Sequence, residues 1–233
     1  WKIGLAFDFK SVTMGLTLTT PSLSLYGSGS TGVNSTVIGL DMNGDTVGDD
    51  YLAADYRDRQ PVSFRTPLSL AAVMTFKIQK VRFYGSTEWF AGVRPYTVVD
   101  AASFVAQSTG EILSSDVTQE LAAVLNWGVG LEWFYSSRFK GYASFTTDYS
   151  AKKSGTTTNI SLADWNIFHA VTGGEFAVKK TSVTVGLGVS FGGHEIGQRP
   201  DILARSGLDG LWDPFSGLKF RYTSYKLIFG FAI

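Results

Sequence analysis

The chain has 233 residues, with 20 basic and 20 acidic side chains, no cysteine and abundant glycine and aromatic residues. Balanced charge gives no electrostatic footprint for nucleic acid, and the lack of cysteine excludes disulfides and thiolate metal sites. No apolar run reaches the roughly 18 residues of a membrane-spanning helix, and the segment at Trp1 carries neither the basic nor the apolar region of a secretory leader.

In chain order, two-residue alternation dominates. Residues 1–10 alternate Ile3, Leu5, Phe7 and Phe9 with Lys2, Gly4, Ala6 and Asp8. A second strand is predicted over 12–28, with Val12, Met14, Leu16 and Leu18 on even positions. After Thr19-Thr20-Pro21 the apolar residues, Leu23 and Leu25, fall on odd ones. A phase slip at a proline means a bulge or an exit from the sheet. Strands follow at 61–79 and 81–98, then at 117–135, where Leu121, Ala123, Leu125, Trp127, Val129, Leu131 and Trp133 share a face. The pattern resumes at 139–151, 162–178, 181–193 and 218–233. Successive strand side chains point to opposite faces, so each alternating set occupies one face of a sheet.

Many of these runs exceed ten residues, the length a tilted strand needs to cross a bilayer, whereas strands of soluble domains cluster near five or six. Connections near Lys10-Ser11, Gln79-Lys80, Ser136–Arg138 and Lys179-Lys180 are short, while those over 29–60, 99–116, 152–161 and 194–217 are long. Alternating tight turns and long loops is the grammar of an all-β fold, a transmembrane antiparallel up-and-down β-barrel with periplasmic turns and extracellular loops. A soluble sandwich has no reason to gather its long loops at one end. On this reading the C-terminus is periplasmic in a bacterial outer membrane, and Trp1 is extracellular. About nine strands, an odd count, with two open edges cannot stand in lipid, so residues 1–233 are expected to be the C-terminal portion of a single barrel domain.

Several stretches resemble the long-chain fatty-acid transporter family of outer-membrane barrels. They are WKIGLAFDF with the returning VTMGLTLTTPSLSLYGSG, PVSFRTPLSLAAVMTFKIQKVRFYGSTEWF from Pro61, LAAVLNWGVGLEWFYSSRFKGYASFTTDYS from Leu121, and the final YKLIFGFAI. The resemblance implies the last nine of roughly fourteen strands, with an N-terminal plug and the first strands upstream. It implies passive uptake of hydrophobic small molecules, long-chain fatty acids or aromatic hydrocarbons, through a polar lumen with lateral exit. The implied partners are outer-membrane lipid, lipopolysaccharide and the hydrophobic ligand. The chain departs from a common barrel ending, since it closes on Ile233 behind Phe229 and Phe231. The same architecture also serves a non-transporting scaffold or binding barrel in a secretion or envelope complex, with protein partners at loops 29–60 and 194–217. An apolar cleft continuous with the lumen would favour transport, and loops buried against another chain would favour the scaffold.

The alternation assigns Lys77, Arg82, Tyr84, Glu88, Asn126, Glu132, Lys140, Tyr142, Asp148 and Lys226 to the lumen. Arg82, Tyr84, Glu88, Asn126, Glu132, Lys140, Tyr142 and Lys226 are the candidates for a ligand path. Charge pairing across strands accounts for the same residues without a ligand. Trp89, Trp127, Trp133, Tyr135 and Tyr149 fall on outward or rim positions, as interfacial girdles require. The stretch DMNGDTVGDD sets Asp41, Asn43, Asp45 and Asp49, with Asp50, around two glycines. Oxygen ligands at alternate positions suit Ca²⁺ in an extracellular loop, and a solvated acidic turn accounts for them equally. No other cofactor is implied. Of the two histidines, His169 lies within a strand and His194 opens a loop, and spacing pairs neither with a nucleophile. The expectation is a protein that is not an enzyme.

Overall fold

The computed structural model describes residues 1–22, 24–41, 45–152, 165–178, 181–196 and 218–232. In chain order its strands are β1 (Lys2–Phe9), β2 (Val12–Thr19), β3 (Ser28–Leu40), β4 (Asp49–Pro61), β5 (Ser69–Ile78), β6 (Val81–Phe90), β7 (Val93–Val99) and β8 (Phe104–Val105). There follow β9 (Ile112–Leu113), β10 (Val117–Leu121), β11 (Val124–Phe134), β12 (Phe139–Asp148), β13 (Asn166–Val178), β14 (Thr181–Ile196) and β15 (Leu218–Ala232). Nine of them form one sheet in the order β1-β2-β5-β6-β11-β12-β13-β14-β15, every neighbouring pair antiparallel. The other six make three two-stranded sheets, β3 with β4, β7 with β10 and β8 with β9.

Register turns the alternation of each strand into two continuous faces. Leu70 lies opposite Leu18 and Trp89, and Trp89 opposite Leu125. Val129 lies opposite Gly85 and Phe145, and Leu187 opposite Thr172 and Leu227. The intervening row runs Lys77, Arg82, Glu132, Tyr142 and Gly173. Leu125 and Val129 are each 53% exposed, whereas Glu132, one position from Leu131 and Trp133, is 7% exposed. That inverts a water-soluble sheet, which buries its apolar face. Each large apolar side chain withdrawn from water contributes roughly 1.5–3 kcal/mol, so a face of this size needs an apolar medium against it. Transmembrane barrels satisfy the requirement with hydrocarbon outside and polar groups within.

The two ends of the sheet differ. Lys77 N donates to Ser11 O, Phe134 N to Lys80 O, and Ala177 N to Arg138 O, which binds the tight turns together at one end. Thr20 N to Trp1 O, Ala91 N to Leu68 O and Ala122 N to Ala151 O close the other. At this second end the β3–β4 hairpin packs on the excursion 91–123. Ser63 N donates to Val98 O at 2.9 Å, and Gln107 makes both backbone bonds to Ala54, at 2.7 and 2.8 Å. Buried apolar clusters are found here rather than in the large sheet: Tyr51, Ala53, Phe104 and Ala106 in one, Tyr96, Val98 and Val99 in another. β1 and β15 are outermost in the sheet, and no pairing joins them among the described residues.

Segment 29–60 is a hairpin of two 13-residue strands rather than a loop. Its apolar face is short, Val33 and Val37 of β3 with Tyr51 and Ala53 of β4, and is set among Ser, Thr, Asn and Gly, so alternation gave a weak signal. The strand expected over 12–28 stops at Thr19, and the slip at Pro21 is an exit from the sheet. The strands expected over 61–79, 81–98 and 117–135 are likewise cut, because residues 61–68 and 91–123 leave the sheet. Leu121 therefore does not share the face of Leu125 and pairs with Val93 in β10–β7. Residues 197–217 of the last expected loop lie outside the described residues.

Candidate functional site on the inner face

Alternation and register place Arg82, Tyr84, Glu88, Asn126, Glu132, Lys140, Tyr142 and Lys226 on the face opposite the apolar one. Three acidic side chains organise most of them. Glu132 Oε2 accepts from Arg82 Nη1 at 3.1 Å and from Tyr84 Oη at 2.9 Å. Glu175 accepts from Lys140 Nζ at 3.3 Å and from Tyr142 Oη at 2.6 Å. Glu88 accepts from Ser69 Oγ at 3.0 Å. Phe134 sits on the same face with Lys77 Nζ 5.0 Å and Arg82 Cζ 5.4 Å from its ring centre, within cation–π range. Room for this layer comes from glycine. A Cβ on Gly128 would lie 2.8 Å from Thr146 Cγ2 and 2.9 Å from Ser86 Oγ.

Toward the looped end this face changes character. Phe90 and Val124, opposite one another in register, continue the rows of Glu88 and Asn126 but are apolar. With Pro67, Leu121, Asn126 and Asp148 they bound a cleft of about 220 Å³. Asn126 Oδ1 is committed to Tyr149 N at 2.8 Å. Neither Asn126 Nδ2 nor the Asp148 carboxylate has a hydrogen-bond partner among the described residues. The cleft combines an apolar wall with one donor and one anionic acceptor.

Alternation missed Glu175 and His169. In β13 the outward row contains Thr172 and Gly174, which blurs period two, and only cross-strand register with Lys140 marks Glu175 as inward. His169 Nδ1 lies 2.8 Å from Ser190 Oγ, a pairing that spacing did not suggest. Trp89, Trp127 and Trp133 fall on the outer face, and Trp133 stacks edge-on against Tyr135 at 5.4 Å. From the level of Trp89 and Leu125 to Tyr135 is about ten residue steps, or roughly 33 Å along the strand. At a tilt of about 40° this projects to about 25 Å, the height of an outer-membrane apolar band. In the acidic turn, Asp41 accepts from Asp45 N at 3.1 Å and Thr46 N at 2.8 Å, and Asp45 accepts from Val47 N at 2.8 Å. Asn43 lies outside the described residues, among which no three acidic or histidine side chains gather as a metal site.

Fold and faces together define a membrane-spanning antiparallel β-sheet wall, apolar outside and polar within. No protein-family model matches the chain, and no curated protein matches it in sequence. Among solved structures it is similar to the CymD monoaromatic hydrocarbon channel, at 13% identity and a TM-score of 0.43. The likeness covers 82% of this chain and 46% of that one, so the chain spans about half that channel's length.

Proposed function

We propose that this chain forms the wall of an outer-membrane channel for passive uptake of hydrophobic small molecules, fatty acids or aromatic hydrocarbons, with its C-terminus periplasmic. The observation that supports the reading is the apolar cleft at Phe90 and Val124, continuous with the polar inner face. An apolar solute enters from the looped end, is held at the cleft, and leaves sideways into the bilayer. Polar groups below it make onward passage of an apolar body costly, because each group stripped of water and left without a partner costs about 1–3 kcal/mol. The outward edges of β1 and β15 are closed in lipid by further strands, since unpaired backbone groups there cost several kcal/mol each.

Uptake of labelled toluene, p-cresol and oleate by liposomes carrying the full protein tests the reading. Entry of at least one is faster than into protein-free liposomes. Equal rates for all three would overturn it.

A further inference from the structure

We infer that the cleft at the looped end is a binding site for a single-ring aromatic compound bearing a hydrogen-bond donor, such as a phenol, and excludes carboxylates. The inference rests on the uptake reading and narrows its substrate class. Size is the first argument. A cavity of about 150 Å³ lined by apolar side chains admits benzene, so an open cleft of about 220 Å³ is large enough to seat one substituted ring. The walls agree, since Phe90, Leu121, Val124 and Pro67 present an aromatic ring and aliphatic carbons.

Chemistry at the polar end is the second argument. Asn126 and Asp148 line the cleft together with Tyr149, just beyond the last β11–β12 pair, Gly128 with Thr146. Asn126 Oδ1 accepts from Tyr149 N, which fixes the amide with its Nδ2 protons still to be placed, and the Asp148 carboxylate offers acceptor oxygens. A phenolic hydroxyl complements both groups, donating to Asp148 and accepting from Asn126. A carboxylate ligand would meet Asp148 charge against charge, and no cationic side chain lines the cleft to offset it.

The test is equilibrium dialysis of p-cresol, toluene and benzoate against the full protein in lipid nanodiscs, with empty nanodiscs subtracted. Wild type is expected to bind p-cresol about tenfold more tightly than toluene, the lower end of what a hydrogen bond to a charged group gives. Benzoate should bind at least tenfold more weakly than p-cresol. Asp148→Asn should lower the p-cresol to benzoate ratio at least tenfold. Val124→Trp, which fills the cleft, should weaken p-cresol and toluene binding more than tenfold while the protein keeps its heat-modifiable migration. Leu121→Trp repeats that test from the opposite wall should the first variant fail to fold. Binding indifferent to both tryptophans, or a ratio unmoved by Asp148→Asn, overturns the site. Flux of apolar solutes that ignores the filled cleft overturns the site and leaves the uptake reading standing. Cresol bound in the cleft without any flux supports the site and overturns the uptake reading.

Discussion

Arginine placed along the outer face of β11 measures the medium that face meets. Val129 is half-exposed, opposite Gly85 and Phe145, near the middle of the outward row that ends at Tyr135. An arginine at the midplane of a barrel's lipid face costs about 2–4 kcal/mol, falling to about 0–1 kcal/mol at the interfaces. Val129→Arg should therefore destabilise by about 2–4 kcal/mol and Tyr135→Arg by about 0–1 kcal/mol, with Leu131→Arg between them. Ser144→Arg, on the inner face and opposite Gly130, faces the polar side and should cost less than Val129→Arg. The assay is reversible guanidinium unfolding of the full protein in phospholipid vesicles, followed by tryptophan fluorescence. Water at the outer face would flatten the series to within about 0.5 kcal/mol, as for ordinary surface positions. A flat series, or Ser144→Arg costing as much as Val129→Arg, would refute the assignment of faces.

Glu132→Gln removes the anion that holds Arg82 and Tyr84, and should move the reversal potential of a reconstituted channel in a KCl gradient toward anion selectivity. The same change should cost about 1 kcal/mol of stability, since the Arg82 side chain is 37% exposed and the pair is partly screened. Gly128→Val drives a branched side chain between Ser86 and Thr146, and overpacking of that kind costs about 1–3 kcal/mol, read as a lower unfolding midpoint. Gln107→Ala removes both bonds to Ala54 and should loosen the β3–β4 hairpin by about 1–2 kcal/mol, seen as faster proteolytic nicking within 28–61 and unchanged migration of the barrel band.

The large sheet was legible because each of its strands must satisfy two solvents at once. Ile3, Leu5, Phe7 and Phe9 in β1, or Val183, Val185 and Leu187 in β14, can alternate so regularly only where one side meets apolar surroundings. The looped end was not legible, and the reason is physical. β3 and β4 share one buried face, but it carries only Val33 and Val37 with Tyr51 and Ala53 among Ser, Thr, Asn and Gly, so the solvent contrast imprints a short and weak pattern. The excursion 91–123 failed differently. Residues 93–98 and 117–121 read as continuations of β6 and β11, yet they pair with each other as β7 and β10, Val93 opposite Leu121 and Tyr96 opposite Gln119. Period two reports strand character and says nothing about which sheet a strand joins. The shared face of the polar residues was readable for the same reason as the sheet, since phase follows from parity alone. Which of them pair does not: Glu132 with Arg82 and Glu175 with Lys140 are products of register, and register was set by turns whose lengths the sequence shows but whose geometry it does not.

The cleft sits where the rule that revealed the sheet breaks down. Along the inward row of β6 the residues run Arg82, Tyr84, Ser86, Glu88 and then Phe90, and along β11 they run Glu132, Gly130, Gly128, Asn126 and then Val124. Between Phe134 at the turn end and the looped end, each row is polar or glycine until its last member. Two apolar side chains facing inward, opposite each other in register, break the local pattern at one level of the barrel wall. Such departures concentrate where function outweighs foldability. Packing alone does not account for them, because Val124 is buried while the space beside it stays open as a cleft. A stability-driven mouth would have closed that space, at a gain of about 1 kcal/mol for each methyl-sized void filled. An open apolar space beside Asn126 and Asp148, on the inward side of a lipid-facing wall, is where the proposed uptake path would hold its solute.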